Sequence, residues 1–281
     1  MAALGFAVET EADFERLTER TFQHAVLVGS RRNRQVLRWE DASGARVVYT
    51  VRRGHLEDAL PSLAAKPGAR LQGATARSGH VIQSAVIDDD GEQVTGLVAA
   101  LEEGPLLPRP VDGVASIVAL GTEITVHADA DAFALDPASL LGSADDEPPP
   151  RTNGLDADDP WPSGPLRMAA ESFISYGVFA EAFGGGPLEP HARLYGTVLS
   201  AERRRNEIGG LEFIVARVQT SGFVADVCLA ADEHRDVPAP GSILGGEVYL
   251  VGSLSEWTLS TRSGDSDGHR RGWLAHLHRW R

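Results

Sequence analysis

The chain has 281 residues, 42% of them hydrophobic and 23% charged, and a formal net charge of −14. That length supplies two domains of ordinary size, and the acidity disfavours extended contact with nucleic acid or an anionic membrane, which repel a surface of like charge. The single cysteine, Cys228, excludes an intramolecular disulfide and a multi-cysteine zinc site.

The charge is unevenly placed. From Leu166 onward 12 arginines meet 14 acidic residues, whereas 14 basic and 26 acidic residues precede it. Lys66 is the only lysine, a bias that fits the codon usage of a GC-rich bacterium. The opening Met1-Ala2-Ala3-Leu4-Gly5 lacks the basic start and apolar run of a signal peptide. No stretch reaches the roughly 20 apolar residues of a membrane-spanning helix. A cytoplasmic location without membrane contact is the expectation.

In chain order, Phe6–Val8 reads as a short strand. Thr10 then caps a helix, with Asp13 completing a capping box and Phe14 and Leu17 on its apolar face. Ala25–Val28 is strand-like. Val36–Trp39 and Arg46–Val51 flank Asp41-Ala42-Ser43-Gly44, a hairpin signature. Leu56–Ala65 reads as a short helix ended by Lys66-Pro67-Gly68, its acidic start (Glu57, Asp58) suiting the helix dipole. Val81–Ile87 and Gln93–Leu101 flank a second hairpin turn, Asp88-Asp89-Asp90-Gly91, and Val114–Val126 adds one or two strands. This first unit, 1–140, is expected to be a mixed α+β domain with an antiparallel sheet.

Residues 141–165, with Asp145-Asp146-Glu147, Pro148-Pro149-Pro150 and three further aspartates, read as an acidic Pro-rich linker with too few apolar groups to offset the entropy of ordering. Met168–Phe183 fits a strand or a helix equally. The second unit, 166–281, contains four strands from Ala192 to Leu254: Ala192–Ser200, Leu211–Thr220, Phe223–Ala230 and Glu247–Leu254. Arg203 to Gly210 and Ser221-Gly222 are read as the turns between the first three. Short strands with tight turns fit a small OB-like β-barrel. The fold class expected is therefore α+β. No internal repeat is visible between the halves.

The pattern Gly196-x-Val198, Arg203-x-x-Asn206, Gly210-x-x-Phe213, Asp226-Val227, Pro240-Gly241, Gly246 and Leu250-x-Gly252 resembles a group of uncharacterised bacterial proteins with an OB-like C-terminal region. The resemblance covers about the last third of the chain, carries no activity, and implies architecture alone.

Chemistry is sparse. There is no P-loop and no Gly-x-Ser-x-Gly elbow, and no cofactor or metal is expected. The tail holds His269, His276 and His278, of which His276 and His278 could share one strand face, but no further ligand cluster lies nearby in sequence. In an OB-type barrel the loop after the first strand borders the usual binding face. This singles out Arg203, Arg204, Arg205 and Asn206, with Tyr195 and Phe213 (and Phe223 and Tyr249 beside them) as stacking platforms. The competing reading makes those rings core and the arginines a solvated loop paired with Glu202 and Glu207. In the tail, Trp273, Leu277 and Trp280 would share one helical face, giving Trp273 and Trp280 a groove to fill on self or partner. The leading expectation is a non-catalytic binding or scaffold protein engaging a protein partner. The alternatives are an OB-type single-strand nucleic-acid binder and a hydrolase with a dispersed site drawing on His55, His80, His127 or His191.

Overall fold

The computed structural model describes residues 1–141, 166–182 and 188–260. The chain is mostly β, and it opens on a single 3-10 turn, Ala2–Leu4, rather than a strand at Phe6. Helix α1 (Glu11–Phe22) starts as the sequence requires. The Thr10 side chain accepts from the Asp13 amide while the Asp13 carboxylate accepts from the Thr10 amide, so two otherwise orphaned donors are satisfied.

Four antiparallel strands follow in simple succession: β1 (Val26–Arg31), β2 (Arg34–Glu40), β3 (Ala45–Arg52) and β4 (His55–Leu63). The Asp41–Gly44 hairpin forms as expected, with Gly44 at φ +85°. The stretch expected as a helix from Leu56 to Ala65 is instead β4, paired with β3 from Arg52↔His55 to Ala45↔Leu63. The Arg53-Gly54 turn folds it straight back, and Pro61, which has no N–H for an inner ladder, fits an edge strand.

The larger sheet is built from β5 (Ala69–Ser78), β6 (Val81–Ile87), β7 (Gln93–Leu101) and β8 (Val111–His127), and, after helix α2 (Ala130–Leu135), from β9 (Ser172–Ser175), which leads into helix α3 (Tyr176–Ala182), then β10 (His191–Arg205), β11 (Glu212–Thr220), β12 (Phe223–Ala230) and β13 (Ile243–Leu259). Its pairings close two rings of five strands. One runs β5-β6-β7-β13-β8 and back to β5; the other runs β10-β11-β12-β8-β13 and back to β10. The 17-residue strands β8 and β13 belong to both.

The two rings are related by an internal two-fold repeat that their sequences hide. In each, the fourth strand closes antiparallel on the first (β8 on β5, β13 on β10), and the third runs parallel to the long strand lent by the other repeat (β7 with β13, β12 with β8). The registers correspond: Thr75↔Gln83 and Ala76↔Ile82 in the first repeat match Ser200↔Arg217 and Ala201↔Ala216 in the second, each following a β-bulge in the first strand. On the shared ribbon, Ile117↔Gly252 has its counterpart in Gly121↔Val248. Equivalent positions share burial rather than identity, for example Ile82 with Ala216 and Leu97 with Ala225. The expected units 1–140 and 166–281 therefore contribute to one continuous sheet, with β8, from before residues 141–165, lying between β5 and β12.

Three cores result. Alternate residues of both rings, among them Ile82, Leu101, Ile117, Ile214, Val227 and Leu250, fill the ring interiors. The opposite faces of β7, β8, β12 and β13 (Ala100, Val118, Cys228, Val251) pack against α1 and the four-stranded sheet through Leu17, Val48, Tyr49 and Leu63. A smaller cluster of Phe133, Met168, Tyr195 and Ile243 covers another outer face. Gly245 and Gly246 let β13 squeeze between neighbours, since a Cβ on either would lie 1.9 Å from a carbonyl oxygen, of Leu194 and Glu123 respectively.

Candidate functional site

The arginine run singled out in the sequence is not a turn but the end of β10. Arg203, Arg204 and Arg205 pair with Ile214, Phe213 and Glu212 of β11. Strand alternation sends Arg204 to one side and its neighbours to the other. Arg203 spans Glu212 Oε2 (3.4 Å) and the Arg235 carbonyl (2.6 Å). Arg204 donates to Glu202 Oε1 at 2.7 Å and to the Ser43 carbonyl at 3.0 Å, crossing to the Asp41–Gly44 hairpin. Arg205 is exposed, and its guanidinium meets no hydrogen-bond or ion-pair partner among the described residues.

Between that hairpin and the end of β10 lies a groove of about 540 Å³, open to solvent and lined by Glu40, Ser43, Gly44, Arg204, Arg205 and Glu207 among others. The segments flanking it are tied down. The buried Asp41 carboxylate accepts from the Ser43 amide and hydroxyl and from the Glu207 amide. Asn206 is wholly buried. Its side-chain oxygen accepts from the Ile208 and Gly209 amides, and its nitrogen donates to the Leu4 carbonyl. Asn206 thus holds the loop and the N-terminal segment together and offers nothing to a ligand. The groove is amphoteric, with Glu40 tied to Arg46, and suits a ligand presenting both donors and acceptors.

The aromatic platforms are not available. Tyr195 and Phe213 point away from the ring interior but are covered, at 3% and 0% exposure. Tyr195 lies against Phe133 (ring centroids 4.6 Å apart) and donates to the Ala138 carbonyl, and burial pushes its phenol pKa up. Phe213 sits under the N-terminal segment near Gly5. Phe223 is core, and Tyr249 is half-buried beside His191. Elements from elsewhere in the chain close over these rings, which strand alternation alone does not reveal. Trp273 and Trp280 lie outside the described residues.

The histidines proposed for a dispersed site do not converge. His55 is exposed on β4, His127 contacts Thr125 and Asp136, and His191 packs on Tyr249. His80 is buried. Its Nδ1 faces the Leu101 carbonyl and so carries the proton, leaving Nε2 to accept from the Thr50 hydroxyl at 2.8 Å. Burial holds its pKa below the ordinary value. Cys228 is fully buried, and burial pushes its thiol well up, away from reactivity. Among the described residues no three His, Cys, Asp or Glu side chains gather as metal ligands.

Sequence reasoning missed one charged cluster. Glu102, with no exposed side-chain surface, accepts from Arg38 (3.2 Å), Arg46 (3.1 Å) and the Ser62 hydroxyl (2.7 Å). Its neighbour Glu103 accepts from the Leu254 amide, and burial raises its pKa to about 7. These groups tie the four-stranded sheet to the first ring. An acidic pair directly after an apolar strand gives no sequence signal of burial.

Comparison of the chain with protein-family models, with curated proteins and with solved structures finds no match.

Proposed function

We propose that this chain is a non-catalytic binding or scaffold protein that engages a protein partner, with the Arg204–Arg205 groove as a point of contact. The observation that carries this reading is the pairing of groove-flanking segments, tied down through Asp41 and Asn206, with an exposed and uncommitted Arg205. A fixed scaffold beside free hydrogen-bonding groups lowers the entropic cost of association. No helix among the described residues is long and apolar enough to cross a membrane; a cytoplasmic, bacterial setting remains part of this proposal.

The OB-like architecture belongs here too. An OB-type barrel is a five-stranded Greek key in which the first three strands follow one another, the fourth lies beside the first, and the fifth sits between fourth and third, parallel to the third. Each ring has this order, with the fifth strand lent by the other repeat. The burial of Tyr195, Phe213 and Phe223 weighs against single-strand nucleic-acid binding, which needs exposed rings. The scattered, committed histidines weigh against the hydrolase reading.

Affinity capture with the full chain, with Arg205→Glu, and with a form lacking Gly272–Arg281 tests the proposal. A protein recovered by the full chain and lost with Arg205→Glu supports it. Recovery of nuclease-sensitive material, or of nothing specific, counts against it.

A further inference from the structure

One end of the four-stranded sheet reverses the charge of the molecule. Arg31, Arg34 and Arg52 stand in one row, each directly opposite the next across β1, β2 and β3. Beyond the row, the two turns carry Arg32 and Arg53, and the Arg53 amide donates to the Asn33 carbonyl at 3.0 Å, holding the turns side by side. Like charges placed directly across a sheet are unfavourable, and the chain has 40 acidic residues from which partners could have been drawn.

Only part of this charge is answered. Arg31 donates to the Leu107 and Pro108 carbonyls. Arg34 grips Glu57 in a forked pair, Nε to Oε2 at 3.0 Å and Nη2 to Oε1 at 3.2 Å, and Arg52 reaches the same carboxylate at 3.4 Å. Asp58 is the next acid on β4, and its carboxylate accepts from the Ala59 amide. Arg32 and Arg53 are exposed, and their guanidinium groups meet no partner among the described residues. They are also the two non-glycine residues described with positive φ, +55° and +53°. That left-handed conformation favours Gly or Asn in such turns, so arginine is held at both positions against local preference. Such outliers point to use.

We infer that this arginine tip is a docking surface for a protein segment bearing clustered carboxylates. The tip already holds one carboxylate in forked geometry, and hydrogen bonding from Arg34 keeps the Glu57 carboxyl below its ordinary pKa. Arg32 and Arg53 stand next to that arrangement with their forks empty, and arginine matches a carboxylate with two parallel donors. A long polyphosphate would be repelled by the rest of a chain whose overall net charge is −14, which a short acidic segment confined to the tip avoids. This surface adds partner chemistry to the protein-binding reading and does not depend on the Arg204–Arg205 groove.

The test is fluorescence anisotropy of the full chain with two labelled probes of about ten units each, a glutamate peptide and a single-stranded DNA, at low and moderate salt. The peptide is expected to bind, more weakly as salt rises. Arg32→Asn combined with Arg53→Asn is expected to weaken it at least about tenfold while thermal stability is retained or raised, and Arg205→Gln is expected to leave it unchanged. Absence of peptide binding, equal binding by the double variant, equal loss with Arg205→Gln, or DNA binding about tenfold tighter than peptide would overturn the assignment. Retained peptide binding with no partner captured through Arg205 would sink the groove reading alone.

Discussion

Ala119 and Leu250 face each other across the antiparallel β8–β13 ribbon, and each occupies the same position in its own four-strand repeat. The internal two-fold axis therefore passes between them. Neither repeat closes its ring without the long strand of the other, and the four-stranded N-terminal sheet packs over this junction through Val118 and Val251. The Arg204–Arg205 groove lies where that support meets the Asp41–Gly44 hairpin.

The Glu102 cluster is expected to be the most sensitive polar point of the fold. Removing the carboxylate with Glu102→Ala takes the counter-charge from Arg38 and leaves Arg46, 12% exposed, with Glu40 alone. Breaking a fully buried pair from one side costs about 3–5 kcal/mol; with Arg38 30% exposed and Arg46 still paired, the loss expected here is roughly 1–3 kcal/mol. Urea denaturation should show that loss, with Glu102→Gln intermediate because it keeps acceptor and shape. A loss under about 1 kcal/mol would mean that the cluster behaves as a surface pair.

Two groups, half-buried Glu103 and buried His80, give opposing pH dependences. Burial raises the Glu103 pKa from 4.5 to about 7. The native state thus binds more protons than the unfolded chain between those values, and stability falls as pH rises through that window, by up to roughly 3 kcal/mol. His80 has the opposite sign. Its folded pKa lies below 6.5, so its contribution is present above 6.5 and is lost as pH falls. Thermal melts from pH 4 to 9 should show Glu103→Gln, which keeps an acceptor for the Leu254 amide, removing the decline between about pH 4.5 and 7. An unchanged profile would contradict this assignment.

Much of the local structure was legible. The Thr10–Asp13 capping box, the hairpins at Asp41–Gly44 and Asp88–Gly91, and strands β10 to β12 follow from nearest-neighbour chemistry. Residues 55–63 misled because Leu56, Leu60 and Leu63 are spaced like a helical stripe, while pairing to β3 decided the outcome. Arg203–Arg205 looked like a turn because three charged residues rarely continue a strand; β11 supplies the ladder that keeps them extended. The repeat was illegible because burial, not residue identity, is what its equivalent positions share. Of the candidate site, Arg204 and Arg205 reached the groove. The hairpin that completes it needed the fold, since Ser43 lies 161 residues from Arg204 and Asp41 166 residues from Glu207.

Gly246 should tolerate no side chain. It lies at φ +149°, and a Cβ there would sit 1.9 Å from the Glu123 carbonyl. Gly246→Ala is expected to cost at least about 2 kcal/mol by combining strain with a clash against backbone. Calorimetry showing a melting temperature equal to wild type would contradict the tight β8–β13–β10 packing.

At the arginine tip the expected sign is reversed. Arg53→Asn places the favoured Asn-Gly pair in a turn where both central residues have positive φ, and is expected to stabilise by roughly 0.5–1 kcal/mol. A stabilised variant that has lost peptide binding would show local stability given up for function. Destabilisation would indicate that Arg53 serves the fold.

The most direct test of the interlocked rings is to produce residues 1–140 and 166–281 as separate chains and follow their unfolding by circular dichroism. Each alone should show no cooperative transition, and an equimolar mixture should recover one. Cooperative unfolding of either fragment by itself would contradict two repeats that complete each other.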